Sequence, residues 1–258
     1  MIHLKTKEEI ALMRNAGKVV ADILDALREI VRPGISTAEL DRVAEQYIQE
    51  SGGKASFKGY RPFHAEIPYP SAICASVNEE IVHGIPSDGR ILQEGDIVSV
   101  DVGVYLQGYH GDAACTYPVG ALTPIRKKLL DVTEKSLELA LDAIKAGNTV
   151  GDVGYAVESY VLGQGFGVVR DFTGHGVGKQ LHEAPQVPNF GKPRRGVTLQ
   201  RGMTLAIEPM VVIGKEQIKI GPNKWVVVTA DGSDAAHFER SVVVTDEGHD
   251  LLTPWISH

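Results

Sequence analysis

Gly34-Ile35-Ser36-Thr37-Ala38-Glu39-Leu40 returns 113 positions later as Gly147-Asn148-Thr149-Val150-Gly151-Asp152-Val153. In each copy a glycine allows a tight turn and a hydroxyl residue stands at a helix N-cap. An acid follows three residues on, which is capping-box spacing. The match continues: Glu45 falls on Glu158, Tyr47 on Tyr160, Ile48 on Val161 and the stopping Gly52 on Gly165. Leu40, Val43, Ala44, Tyr47 and Ile48 give the first copy an apolar face. A longer helix is expected before each copy. Thr6 caps the first, Glu8 and Glu9 fill its first turn, and Ile10, Met13, Val20, Ile23, Leu24, Leu27 and Ile30 form its stripe. Thr123-Pro124 opens the counterpart, whose stripe is Leu130, Leu137, Leu141 and Ile144. Helix pairs look alike by chance, but here cap, glycine and apolar positions agree together. The agreement predicts a duplication, with halves of about 1–120 and 121–258 forming one domain.

Each half then turns to strands. Ile97 to Val104 reads as a strand, followed by a turn and Tyr109 to Val119. The second half offers Thr204 to Val212, Trp225 to Thr229 and His237 to Val244. The fold class expected is α+β, with pseudo-two-fold halves and antiparallel sheet covered by helices.

The chain has 258 residues, 43% of them apolar and 23% charged, which is a globular composition. A net charge of −7 argues against DNA or other nucleic acid as the main partner. No apolar run approaches the roughly 18 residues of a membrane span, and the N-terminus lacks the pattern of a signal peptide. Cys74 and Cys115, the two cysteines, make no disulfide scaffold, so a cytoplasmic location is expected.

The acids are more telling. Asp101 interrupts a valine-rich strand, where an unpaired carboxylate is costly. With a turn at Leu106-Gln107, Asp112 stands opposite Asp101; with a turn at Gln107-Gly108 it is two residues away. Both registers place the two carboxylates on one face, roughly 5–8 Å apart. Glu208 and Glu239 are each the lone acid of an apolar run, Leu205 to Val212 and Phe238 to Val244. Singly, each acid reads more simply as a structural ion pair or a strand-edge residue. Four in two strand pairs repel one another, and bound cation charge relieves that repulsion. Four carboxylates balance two divalent ions.

His175 lies in the glycine-rich Gly174-His175-Gly176-Val177-Gly178. His182-Glu183-Ala184-Pro185 follows, and His83-Gly84-Ile85-Pro86 lies in the first half, so each half carries one His-x-x-Pro. His3, His64, His249 and His258 read as ordinary core or surface residues. His110 and His237 precede Asp112 and Glu239 by two, so on a strand they share the acids' face; a place beside the cluster and a purely structural role both stay open. One nitrogen among four carboxylates suits Mn, Fe, Co or Zn in a hydrated two-metal site better than a closed structural zinc site. The chain has no His-Glu-x-x-His helix, phosphate loop or Gly-x-Ser-x-Gly elbow. Cys115 reads as a small apolar filler.

The sequence resembles the type I methionine aminopeptidases along nearly its whole length. The resemblance rests on Ser76-Val77-Asn78-Glu79, His83-Gly84-Ile85-Pro86, Val98 to Val102 with Asp101, and Gly108-Tyr109-His110-Gly111-Asp112. It continues through Gly174-His175-Gly176-Val177-Gly178, His182-Glu183-Ala184-Pro185, Ile207-Glu208-Pro209-Met210 and Phe238-Glu239. It implies the pita-bread fold and a dinuclear metal site. It further implies that Asp101 chelates one metal, that Asp112 and Glu239 bridge both, and that His175 and Glu208 complete the second position. Glu208 would also shuttle a proton, while His83 and His182 would contact substrate and oxyanion. Tyr60, Tyr69, Cys74 and Trp225 match the family's methionine pocket. Phe57 stands where some bacterial members have cysteine, Leu181 where some have phenylalanine, and the stretch 61–68 is longer than in several relatives.

The implied reaction is removal of the N-terminal methionine from nascent chains whose second residue is small. Two cations would acidify a shared water toward a pKa near 7, as in other two-metal aminopeptidases, and the hydroxide would attack the carbonyl after the first residue. A monomer is expected, working near the ribosome although no residue in the sequence marks such a contact. Prolidase and aminopeptidase P resemble the same metal site but usually carry a further N-terminal domain. Type II methionine aminopeptidases carry a large insertion before the glutamate ligand, whereas Glu208 follows His182 closely here. A non-catalytic binding protein or a metal store on this scaffold is the other class of reading. The first would be expected to have lost ligands, and the second does not explain the substrate-contacting histidines.

Overall fold

A computed structural model describes residues 2–61 and 67–256. Among the described residues, four helices and a set of antiparallel sheets make up the fold. Helix α1 spans Lys7–Ile30, α2 Thr37–Glu50, α3 Pro124–Asp142 and α4 Val150–Gly163. At the start of α1, Thr6 and Glu9 form the reciprocal capping box that the sequence suggests. Ser36 accepts from the Glu39 N–H at α2, and the Asp152 carboxylate accepts from both the backbone and the hydroxyl of Thr149 at α4. Met13, Val20, Ile23, Leu24 and Leu27 are fully enclosed, whereas Ile10 and Ile30 at the ends of the stripe are half-buried. Tyr47, expected on the buried face of α2, is exposed: it lies at the side of the stripe formed by Leu40, Ala44 and Ile48. Ile144 is buried, but beyond the last turn of α3.

The repeated turn is repeated in the backbone. Gly34 and Gly147 have φ of +90° and +94°, values that favour glycine. Gly34 N–H donates to Leu92 C=O, and Gly147 N–H donates to Leu199 C=O. Leu92 and Leu199 return bonds to Ile35 and Asn148, and Ser36 and Thr149 each form an isolated bridge, to Ile91 and Thr198.

In the first half, Ile97–Leu106 pairs antiparallel with Tyr109–Pro118 along its whole length, and also with Ile73–Val77 and Lys54–Ala55. Leu106 faces Tyr109, so Gln107-Gly108 is the turn. The second half carries a five-stranded antiparallel sheet in the spatial order His249–Leu251, Arg240–Val244, Thr204–Ile207, Thr173–Gly176, Glu183–Pro188. Two three-stranded sheets are the others among the described residues, and one of them joins Glu80–Val82 of the first half to Val227–Thr229 of the second. The largest apolar cluster includes Leu24, Ile73 and Val100 together with Leu137, Val157 and Leu205, so both halves share it.

Three strand expectations need correction. Thr204 to Val212 is not one strand: it ends at Ile207 and resumes at Met210. Pro209 has no N–H to give a ladder. His237 to Val244 also breaks, between His237 and Arg240, because Glu239 N–H reaches across to Ala114 C=O of the first half at 2.9 Å. Trp225 and Val226 lie before the Val227–Thr229 strand, and Asn223 Oδ1 takes both their N–H groups.

Candidate active site

The two strand breaks and the Ile97–Leu106 hairpin meet at one cavity. Asp101 pairs with Ala114 and Asp112 with Gly103, which puts the two aspartates on the same face, two residues out of step. Glu208 and Glu239 project from the two interruptions rather than from strands. The cavity, of about 820 Å³, is lined by all four acids and by His83, His175, His182 and His237.

His175 sits between Gly174 and Gly176, where a Cβ would come within 2.4 Å of Ala206 O and Ala184 O respectively. This close packing fixes the backbone that carries the ring. His175 Nδ1–H donates to Gly176 C=O at 2.8 Å, which leaves Nε2 as a lone pair. That lone pair faces Glu208 Oε1 at 3.5 Å and Asp112 Oδ2 at 3.7 Å. An acceptor aimed at acceptors is unfavourable unless a cation lies between them. Ligand atoms of Asp112, His175 and Glu239 lie within 4.8 Å of one another. Asp101 Oδ1, Asp112 Oδ1, Glu239 Oε1 and His237 Nε2 are buried without a hydrogen-bond partner. The donor set and its orphaned atoms therefore fit bound metal.

The electrostatics agree. Burial pushes the Asp101 carboxyl up to about 7. Asp112, Glu208 and Glu239 rise well above the usual carboxylate range, through burial first and the neighbouring carboxylates second. Burial pushes His175 and His237 down to about 3 and His83 to about 4. Cation charge would reverse the penalty on the carboxylates and suit the neutral imidazoles.

Beside the acids lies an apolar wall of Phe57, Tyr69, Cys74, Leu181 and Trp225, with Tyr60 and Ile85 packed against it. Cys74 pairs with Asp101 across the sheet, so wall and acids share one strand pair. The Tyr69 hydroxyl is turned away, toward Gly84 C=O at 2.8 Å and Ile73 C=O at 3.1 Å, leaving its ring against Trp225. At the lip, Tyr60 Oη and His182 Nδ1 are 2.9 Å apart, and the His182 ring is 4.4 Å from that of His175.

Every residue that the sequence nominates for the site lines this cavity. Phe57 and Leu181 do as well, so the departures from the family's pattern fall on the pocket wall. Residues 62–66, which make up most of the longer stretch and include His64, lie outside the described residues, as does His258. The two undecided histidines part company. His237 joins the acids, with Nε2 3.8 Å from Glu208 and 3.9 Å from Glu239. His110 instead pairs with Ser56 Oγ at 2.8 Å and packs on Tyr105. Sequence reasoning missed Phe172, whose ring meets His83 edge-on at 5.6 Å. It belongs to no motif or periodic stripe that could have revealed it.

Comparisons with known proteins agree with this geometry. Residues 11–246 match metallopeptidase family M24. Methionine aminopeptidase 1 of Bacillus subtilis is 48% identical over 253 residues, covering 98% of this chain and 99% of that protein. The methionine aminopeptidase of Escherichia coli is 41% identical, over 98% and 94% of the two chains. The crystal structure of methionine aminopeptidase from Thermotoga maritima superposes with a TM-score of 0.95 at 45% identity, covering 98% and 99%. An Xaa-Pro dipeptidase from Bacillus anthracis shares the fold at a TM-score of 0.79, but at 23% identity and with only 63% of its length covered. The chain has the pita-bread fold, and it belongs to metallopeptidase family M24 and, within it, to the methionine aminopeptidases.

Proposed function

We propose that this chain removes the N-terminal methionine of nascent proteins and peptides whose second residue is small. The observation that carries the reading is the junction of two surfaces. Four carboxylates and the His175 lone pair converge on one side, and an apolar wall stands on the other. Asp101, Asp112, His175, Glu208 and Glu239 would hold two divalent ions, drawn from Co, Mn, Fe or Zn. When bound, such ions acidify a shared water to a pKa near 7 and polarise the scissile carbonyl.

The chain's own residues do the rest. Tyr60, Tyr69, Cys74 and Trp225, with Phe57 and Leu181, seat the methionine side chain, whose flexible thioether suits such a wall. The free amine of the substrate then lies beside the carboxylates, which restricts cleavage to the first bond. With the Tyr60 hydroxyl donating to Nδ1, His182 keeps its proton on Nε2 and donates it to the developing oxyanion. His83, held neutral by burial, contacts the substrate from the opposite half. Glu208 takes the proton of the attacking water and passes it to the leaving amine.

Residues 1–258 are read as a single catalytic domain and a monomer, acting in the cytoplasm near the ribosome, with neither DNA nor membrane as partner. Among the described residues no helix is long and apolar enough to cross a membrane. Dialysis against a chelator should abolish release of methionine from Met-Ala-Ser, and adding back Mn, Fe, Co or Zn should restore part of it. Full activity in protein shown by elemental analysis to be metal-free would overturn the mechanism.

A further inference from the structure

Lys5 is the only lysine whose side chain is enclosed among the described residues, and none of the chemistry above uses it. Its Nζ lies 2.6 Å from Glu183 Oε2, and only 2% of the lysine side chain is exposed. The lysine also donates to His3 C=O at 3.3 Å, and its own N–H is tied to Gly202 C=O. The ammonium is thus fixed by its own segment before it meets the carboxylate.

Glu183 is the residue after His182. Its second oxygen, Oε1, accepts the Gln180 N–H at 3.1 Å, which closes a small ring of chain around Leu181 and His182. Leu181 turns into the apolar wall, and His182 turns to the lip of the cavity. Gly178 makes room for the arrangement: a Cβ there would lie 2.6 Å from Lys5 Cε and 2.6 Å from Glu183 Oε1. Beyond the ring the loop is pinned by His110 N–H on Gly178 C=O and by Thr204 on Val177 C=O.

We infer that the enclosed Lys5–Glu183 pair is a positioning device for His182. It braces the 178–183 loop against the segment before α1, so that the imidazole is held where the oxyanion forms. An enclosed ion pair contributes little net stability, because desolvation offsets the attraction; what this one supplies is a tie between the loop and the segment before α1. The inference rests on the proposed role of His182 as oxyanion donor. Tyr60 restrains the ring from the side of Nδ1, and Lys5 restrains the backbone that carries it.

The test is a kinetic cycle on the metal-loaded full chain with Met-Ala-Ser, at a temperature where every variant is folded by circular dichroism. Lys5→Met keeps the apolar stem and removes the charge. It should lower kcat about 10- to 100-fold through misplacement of His182, with KM within about threefold and metal content unchanged. Glu183→Gln, which keeps an acceptor for Gln180, should move kcat in the same direction by less. In a His182→Ala background, Lys5→Met should change kcat by less than about twofold, because the group it positions is gone. If His182→Ala alone lowers kcat and Lys5→Met multiplies that loss in full, the positioning role is wrong and the reading of His182 stands. If His182→Ala alone leaves kcat unchanged, the oxyanion reading falls and the positioning role falls with it. If Lys5→Met lowers melting temperature but not kcat, the pair is merely structural.

Discussion

His182 lies exposed at the lip of the cavity, whereas His175 and His237 are buried among the acids. On the proposed reading His182 faces the substrate and binds no metal. His182→Ala should lower kcat by about 10²–10³, the cost of one lost oxyanion donor, with bound metal near the wild-type amount. Steady-state kinetics paired with elemental analysis checks this, and a large loss of metal would show that His182 is a ligand instead. At this scale the sequence is informative where a residue violates its surroundings. Asp101, Asp112, Glu208 and Glu239 stand out because ionised groups are costly in apolar strands. His175 stands out because the glycines beside it leave room only for backbone. His237 is half legible: its offset from Glu239 suggests a shared face, but the break before Arg240 is what turns it to the cluster. Phe172 and Lys5 are not legible, since a phenylalanine in a cavity wall and a lysine near a chain end look ordinary until their partners, distant in sequence, are known.

Among the elements, α1 carries the most telling cap. Glu9 closes the box on Thr6, accepts from the Tyr109 hydroxyl at 2.8 Å and lies near Lys179. The Thr6 N–H is the first cause that holds its carboxyl down at about 2, against an ordinary 4.5. A depressed carboxylate stabilises the fold above its unfolded pKa and loses that contribution as pH falls through the folded one. Glu9→Ala should therefore cost about 1–2 kcal/mol at pH 7. The difference from wild type should shrink between about pH 4.5 and pH 2. Urea unfolding at pH 7 and near pH 2.5 measures both; an undiminished difference at the lower pH would exclude the carboxylate as its source. Helices are legible because caps and stripes are local. Pro209 is a local sign of the break at Glu208-Pro209, but the break at Phe238-Glu239 is not legible, because it answers to a partner far away in the chain. Glu239 bonds Ala114, and the Glu208 carbonyl accepts from Asn189 Nδ2 at 2.9 Å.

Across the whole molecule, the apolar wall draws Tyr69 and Cys74 from one half and Leu181 and Trp225 from the other. In a matched tripeptide series this wall bears on the first residue, and the proposed reading adds that the second must be small. Met-Ala-x and Met-Gly-x should be cleaved well, and Met-Lys-x and Met-Leu-x poorly. Ala-first peptides should lose roughly 1–3 kcal/mol for each methylene contact removed. Release of the first amino acid at one fixed metal concentration gives the comparison. Faster cleavage of Ala-Pro-x than of Met-Ala-x would move the chain to the proline-directed branch of its fold. The internal repeat was legible at this scale because turn, cap and stripe recur together. The meeting of the halves at one cavity was legible only as a charge argument, through the demand of four acids for cations.

The repeat also bears on where such a molecule comes from. Asp101 and Asp112 belong to one half, Glu208 and Glu239 to the other. A single half standing alone would own two carboxylates, enough charge for one divalent ion, and half of a wall. To assemble the full constellation it would have to associate with its own twin, the site straddling their symmetry axis. Fusing the twins into one polypeptide removes that concentration dependence and frees each half to diverge. Here the first half has aspartates on a hairpin, and the second has glutamates at its broken strands with His175 beside them.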